Sequence, residues 1–133
     1  MTAIRELRRV RDYYWGAIYL SDAEDGDFDP DAISGPGPVW ADPVHITIAA
    51  VNSRAVAADD ADVELLVRVL DEPLAEAQHS SVLDVPTGVL TIGDADECDD
   101  ITLCPGKWRT QINVDRPDDP SKVEVCLSPA SED

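Results

Sequence analysis

A chain of 133 residues is long enough for one domain with one core and needs neither a disulfide framework nor a metal to hold it together. Its 28 acidic side chains against 10 basic ones leave a formal net charge of −18, a field that repels nucleic acid and anionic membranes and favours a basic partner. The longest near-apolar run, Val44 to Val51, falls far short of the roughly 20 residues of a membrane span, and no apolar leader follows the N-terminal arginines, so a cytoplasmic protein is expected.

The first twelve residues, MTAIRELRRVRD, carry Arg5, Arg8, Arg9 and Arg11 against Glu6 and Asp12, a local excess of positive charge in an acidic chain. This basic N-terminal segment (1–12) fits a short amphipathic helix about as well as the start of a strand, and its arginines suit folding back onto the acidic body. A nucleic-acid-binding arm is disfavoured, because the rest of the molecule would repel the phosphates. Tyr13 to Leu20, YYWGAIYL, holds four of the seven aromatics and is β-prone. It reads as a central strand, apolar on both faces, with Gly16 marking a bulge or a close backbone approach.

Ser21 to Pro43 has no periodicity and is rich in Gly, Pro and Asp; it reads as a long loop pinned to the body by Phe28, Val39 and Trp40. Its cluster of Asp22, Glu24, Asp25, Asp27 and Asp29 invites a calcium reading. No register, however, places a Gly at the sixth and a Glu at the twelfth position of an EF-hand loop, so no metal site and no cofactor is assigned, and a weak calcium or small-ligand site stays as an alternative.

Val44 to Val51 alternates as a half-buried strand with His45 on its less apolar side. Asp62 to Leu70 sets Val63, Leu65, Val67 and Val69 on one face and Glu64, Leu66, Arg68 and Leu70 on the other, again a strand. Leu74 to Val85 fits either a strand or a short helical turn leading into one. The turn Pro86-Thr87-Gly88 leads to a short strand, Val89 to Ile92, and Gly93 to Asp100 forms an acidic loop containing Asp94, Asp96, Glu97, Asp99 and Asp100.

Ile101 to Val114, ITLCPGKWRTQINV, reads as a β-hairpin around Pro105-Gly106, with Trp108, Thr110, Ile112 and Val114 sharing an apolar face. Lys107 and Arg109 are rare cations expected to offset the neighbouring acidic loop. Arg116 to Ser121 is a turn, Val123, Val125 and Leu127 mark a final strand, and 129–133 is a polar tail. Cys98, Cys104 and Cys126 follow no metal-ligand spacing. Cys104 and Cys126 are expected as buried filler in strands and Cys98 as a poor nucleophile in its acidic loop. His45 and His79, the only histidines, read as ordinary surface imidazoles.

About eight short strands separated by Gly, Pro and Asp turns define an all-β, single-domain, two-sheet antiparallel β-sandwich over 13–128. No nucleophile, base and orienting group fall into a catalytic pattern and no Gly-rich phosphate loop is present, so the chain is read as a non-enzyme with no catalytic residues. The succession Leu103, Pro105, Gly106, Trp108 and Arg109, the aromatic strand at 13–20 with its acidic loop, and the order of elements over 63–128 together resemble the competence protein J family of small bacterial β-sandwich proteins. Cys104 between Leu103 and Pro105, the arginine segment and the long acidic loops depart from that pattern.

The resemblance implies an inhibitor or immunity-type protein that binds a nuclease or toxin and masks its cationic cleft. The candidate partner-binding residues are then Asp22, Glu24, Asp25, Asp27 and Asp29 in one loop and Asp94, Asp96, Glu97, Asp99 and Asp100 in the other, placed to imitate phosphates. The same acidity would serve solubility alone in a salt-adapted or GC-rich proteome. Oligomeric state and strand order are left open.

Overall fold

In this computed structural model the structure describes residues 3–12, 17–24, 39–41, 45–49, 62–93, 98–115 and 120–130. Alternation decides which side chains go inside. Val63, Leu65 and Val67, Ile46 and Ile48, Leu90 and Ile92, and Val123, Val125 and Leu127 all fall in one buried cluster, every second residue along its strand. Among the described residues ten strands form: β1 (Ala3–Asp12), β2 (Ala17–Asp22), β3 (Val39–Ala41), β4 (His45–Ala49), β5 (Asp62–Leu70), β6 (His79–Val85), β7 (Val89–Gly93), β8 (Cys98–Thr102), β9 (Gly106–Val114) and β10 (Lys122–Pro129).

They form two five-stranded sheets, ordered β1-β5-β10-β9-β6 and β3-β4-β2-β7-β8, with the core between them. This is the expected β-sandwich, with β1 and β3 added to the strands read from the sequence. Of the two readings of the N-terminal segment, the strand holds: β1 pairs antiparallel with β5 along its length. Strand β2 is central in its sheet, as expected, while Gly16, Phe28 and the tail from residue 131 lie outside the described residues. One pair, β10 with β5, is parallel within the otherwise antiparallel ladders.

That parallel pair forces a long crossover. Strand β5 ends beside the end of β10, whereas β6 begins at the far edge and at the opposite end of the sheet, with His79 opposite Ile112. Residues 71–78 therefore cross the outer face over β10 and β9, and glutamine amides fasten them there. Gln111 accepts the Leu74 N–H at 2.7 Å and donates to the Leu74 carbonyl at 3.1 Å, while Gln78 does the same for Val114 at 3.0 and 3.1 Å. No helical turn forms over 74–78. Cys126 is register neighbour to Gln111 and is buried on this face, as expected of a filler residue. Burial, with the Glu124 carboxylate beside it and against the opposing pull of Arg68, pushes its thiol up to about 11. Cys104, by contrast, is exposed outside any strand.

The expected hairpin at Pro105-Gly106 does not form. Strand β8 pairs with β7 in one sheet and β9 pairs with β10 and β6 in the other, so Leu103–Pro105 carries the chain from sheet to sheet. Turn chemistry specifies the bend but not which ladder the next strand joins. The β6–β7 turn crosses between the sheets too, and the two crossings touch: the Leu103 N–H donates to the Gly88 carbonyl at 2.6 Å. Trp108 is buried as expected and donates from Nε1 to the Cys104 carbonyl at 2.9 Å, closing the same corner.

Gly88 sits at φ +79°, and a Cβ there would lie 2.7 Å from the Leu103 carbonyl oxygen; Gly106 at φ +139° would place a Cβ in open space. Both alanine substitutions strain the backbone, but only one collides with it. Gly88→Ala is expected to cost more than Gly106→Ala, with the backbone strain alone about 1–3 kcal/mol at each. Paired urea melts check this, and equal losses would show that the corner yields freely.

Candidate functional site

Asp99 and Asp100 do not lie in a loop: Cys98, Asp99 and Asp100 open β8, which forms an edge of its sheet. Edge strands tolerate charge because one side faces water. Along β8, Cys98, Asp100 and Thr102 are exposed or nearly so, while Ile101 is buried and Asp99 is half-buried beside it on the inward side. Asp100 accepts a hydrogen bond from Thr91 Oγ1 at 2.9 Å.

Across the gap between the sheets, β1 answers this edge. Its inward side presents Arg5, Leu7 and Arg9. Leu7 packs on the core, the Arg9 Nε donates to Asp99 Oδ1 at 3.3 Å, and the Arg5 guanidinium donates to the Thr102 carbonyl. A cleft of about 270 Å³ remains between the two edges, floored by Leu7, Val67, Val69 and Ile101 and flanked by Arg5 and Arg9. The cations facing the acidic edge thus come from β1. Arg109, expected in that role, reaches Ser80 at 3.3 Å in the other sheet.

On the outer face of β1 and β5, Arg8 pairs with Glu64 at 3.0 Å, and Arg68 lies 3.6 Å from Glu6 and 3.3 Å from Glu124. Each such half-exposed pair contributes at most about 1 kcal/mol. Arg5, Arg8 and Arg9 do fold onto the acidic body, and their side chains are turned to the chain's own acceptors.

Asp22 has a different setting. It follows Ile18 and Leu20 on the inward side of β2 and is 1% exposed. Its Oδ2 accepts from the Thr87 N–H at 2.9 Å and from Thr87 Oγ1 at 2.7 Å, and its Oδ1 accepts from the Glu24 N–H at 2.9 Å. The carboxylate ties the end of β2 to the β6–β7 turn. Desolvation raises its pKa, but the Thr87 hydroxyl and the two backbone donors outweigh it, so the group titrates below its ordinary 3.8. Glu24 beside it is exposed.

The structure brings Asp99 and Asp100 together on one strand and does not join them to Asp22 and Glu24. Strands β2 and β7 are antiparallel neighbours; the chain leaves β2 past Asp22, opposite Leu90, and leaves β7 past Gly93, opposite Tyr19. The two acidic connections therefore depart from opposite ends of the sheet. Asp25, Asp27, Asp29, Asp94, Asp96 and Glu97 lie outside the described residues. Among the described residues no group of three or more His, Cys, Asp or Glu side chains is placed to hold a metal ion, and no helix is long and apolar enough to cross a membrane. Sequence reasoning missed Arg5, Leu7 and Arg9 as the partners of this edge, although their period-two spacing was a strand signal.

An all-β, two-sheet protein with an acidic edge strand is the class these features define. No family model matches the chain, and no curated protein matches it. Among solved structures it is similar to ComJ, inhibitor of the DNA degrading activity of NucA, from Bacillus subtilis, with a TM-score of 0.59 at 8% identity over 97% of this chain and 98% of that one. It is also similar to the crocagin biosynthetic gene J protein, with a TM-score of 0.56 at 14% identity over 95% and 96% of the two chains. The fold is ComJ-like.

Because the Asp22 pKa is lower folded than unfolded, its ionised form stabilises the fold. That contribution is complete above the ordinary carboxylate range and is lost as pH falls through the folded value. Asp22→Asn is expected to cost about 1–3 kcal/mol at neutral pH by leaving the Thr87 donors poorly matched, and to flatten the acid limb of the stability profile. Denaturant melts of both proteins across the acid range check this; parallel profiles would remove Asp22 from the acid transition.

Proposed function

We propose that this chain is a non-enzymatic inhibitor, of the immunity type, that masks the cationic nucleic-acid-binding surface of a basic nuclease. The observation that carries the reading is the correspondence of fold, over nearly the whole of both chains, with ComJ, an inhibitor of a DNA-degrading activity. A net charge of −18 supports it independently, because a nuclease cleft shaped for phosphates offers the complementary field. The β8 edge, with Asp99 and Asp100, is the described part of the proposed binding surface; the acids at 94–97 adjoin it in sequence, and those at 25–29 follow β2 in a separate connection.

Masking requires no chemistry from the inhibitor. Carboxylates occupy the positions that phosphate oxygens would take, long-range attraction speeds encounter, and the desolvated contacts set how long the complex lasts. Asp22 contributes stability to the fold in this reading, since its oxygens are bound internally.

Adding the purified chain to a DNA-degrading extract of its host is expected to suppress cleavage of a fluorogenic duplex at low salt, with inhibition weakening as salt rises. Where a basic nuclease is encoded beside this chain, it is the first single enzyme to assay. Cleavage that is indifferent to the chain at every salt concentration would sink the reading.

A further inference from the structure

In an antiparallel ladder a residue turns its N–H and C=O to the same side, and successive residues alternate. The contacts at the end of β8 fix which residues face which way. The Leu103 N–H reaches the Gly88 carbonyl on the β7 side, while the Thr102 carbonyl is taken by Arg5 from the other. By alternation Asp99 and Ile101 turn their main-chain groups to β7, and Asp100 and Thr102 turn theirs outward. Among the described residues β8 ends its sheet, and that row borders the cleft between β8 and β1.

We propose that β8 is a docking edge for an extended segment of a basic protein, which adds to the sheet as a further strand. The inference rests on the reading of this chain as the binder of such a protein. Its main chain pairs with Asp100 and Thr102. Alternate side chains then fall on two surfaces: those pointing outward lie beside the Asp100 carboxylate and are basic, and those pointing inward lie over Leu7, Val67 and Ile101 and are apolar. The Arg5 guanidinium already satisfies the Thr102 carbonyl from outside the sheet, as a substitute for the N–H of a neighbouring strand.

The other edges fit such a segment less well. Strand β3 has three residues; β1 carries Arg5, Arg8 and Arg9, which repel a basic chain; and β6 offers one acid, Asp84, with Arg109 held on its Ser80. A second copy of this chain is also a poor occupant, because each copy carries −18 and β8 itself is acidic. The charges that protect this edge against its own kind select for a basic one.

The probe is a short peptide of alternating lysine and valine, used beside a version N-methylated at every second residue, which has the same charge but cannot pair through those amides. Amide exchange of the full chain is followed by NMR. The unmodified peptide is expected to slow exchange at Asp100 and Thr102 by about tenfold or more, and the methylated one to leave both unchanged. Asp100→Asn is expected to weaken peptide binding severalfold.

Equal effects from the two peptides would reduce the binding to charge alone and overturn the docking mode. Protection confined to β1 or β6, or found nowhere, overturns it as well. If the chain inhibits a nuclease that Asp100→Asn inhibits equally, and the β8 amides stay unprotected, the docking edge fails while the inhibitor reading stands. Protection of β8 without any nuclease inhibited removes the inhibitor reading alone.

Discussion

The contact between Gly88 and Leu103 is where the two sheets are committed to each other. One crossing carries the chain from β6 to β7 and the other from β8 to β9, and each connects a strand of one sheet to a strand of the other. A hydrogen bond of 2.6 Å joins the crossings, and the absence of a Cβ at Gly88 lets them approach. Asp22 holds the same corner from β2 through Thr87, and Trp108 holds it from β9 through the Cys104 carbonyl. Five strands, β2 and β6 to β9, therefore take their positions from one cluster of contacts. The apolar core between the sheets supplies the larger energy but is indifferent to the pairing, since hydrophobic burial is non-directional. The corner supplies the direction.

How much of this could be read from the residues follows from how local each signal is. Strands β4, β5 and β10 are legible because alternation of branched apolar residues is a property of the segment itself, and the inward face of β9 was placed correctly, Trp108 included, for the same reason. The partner of β9 was not legible. Pro105-Gly106 bends the chain equally well into a hairpin or across a sandwich, and the choice is made by Gly88, which is remote in sequence. The first half of β8 was hidden by its composition, because Asp is depleted in strands generally, yet an edge admits it. Among the acids, Asp22 differs from its neighbours only by parity: it continues the inward series of Ile18 and Leu20, and that parity takes it into the fold rather than to a partner.

The arginines show why net charge and binding surface are separate quantities. Arg8 and Arg68 lie against Glu64, Glu6 and Glu124, and Arg9 lies against Asp99, so the β1 side of the molecule is locally balanced. The excess of −18 is carried by the remainder of the chain. A field of that size acts over roughly a Debye length, about 8 Å at physiological salt, so it governs encounter rather than the geometry of contact. Geometry has to come from short-range features.

On the described surface those features converge at β8. Carboxylates alone would attract any cationic protein, and attraction that is shared by all basic partners gives no selectivity. A sheet edge adds a directional requirement, since its donors and acceptors are met only by a chain extended alongside it, and the adjoining cleft adds a requirement for apolar side chains at alternate positions. Because Arg5 and Arg9 flank that cleft, a segment basic on both faces meets repulsion on one of them. In the proposed docking, charge brings the candidates to the edge, and the alternation of basic and apolar residues decides which of them stays.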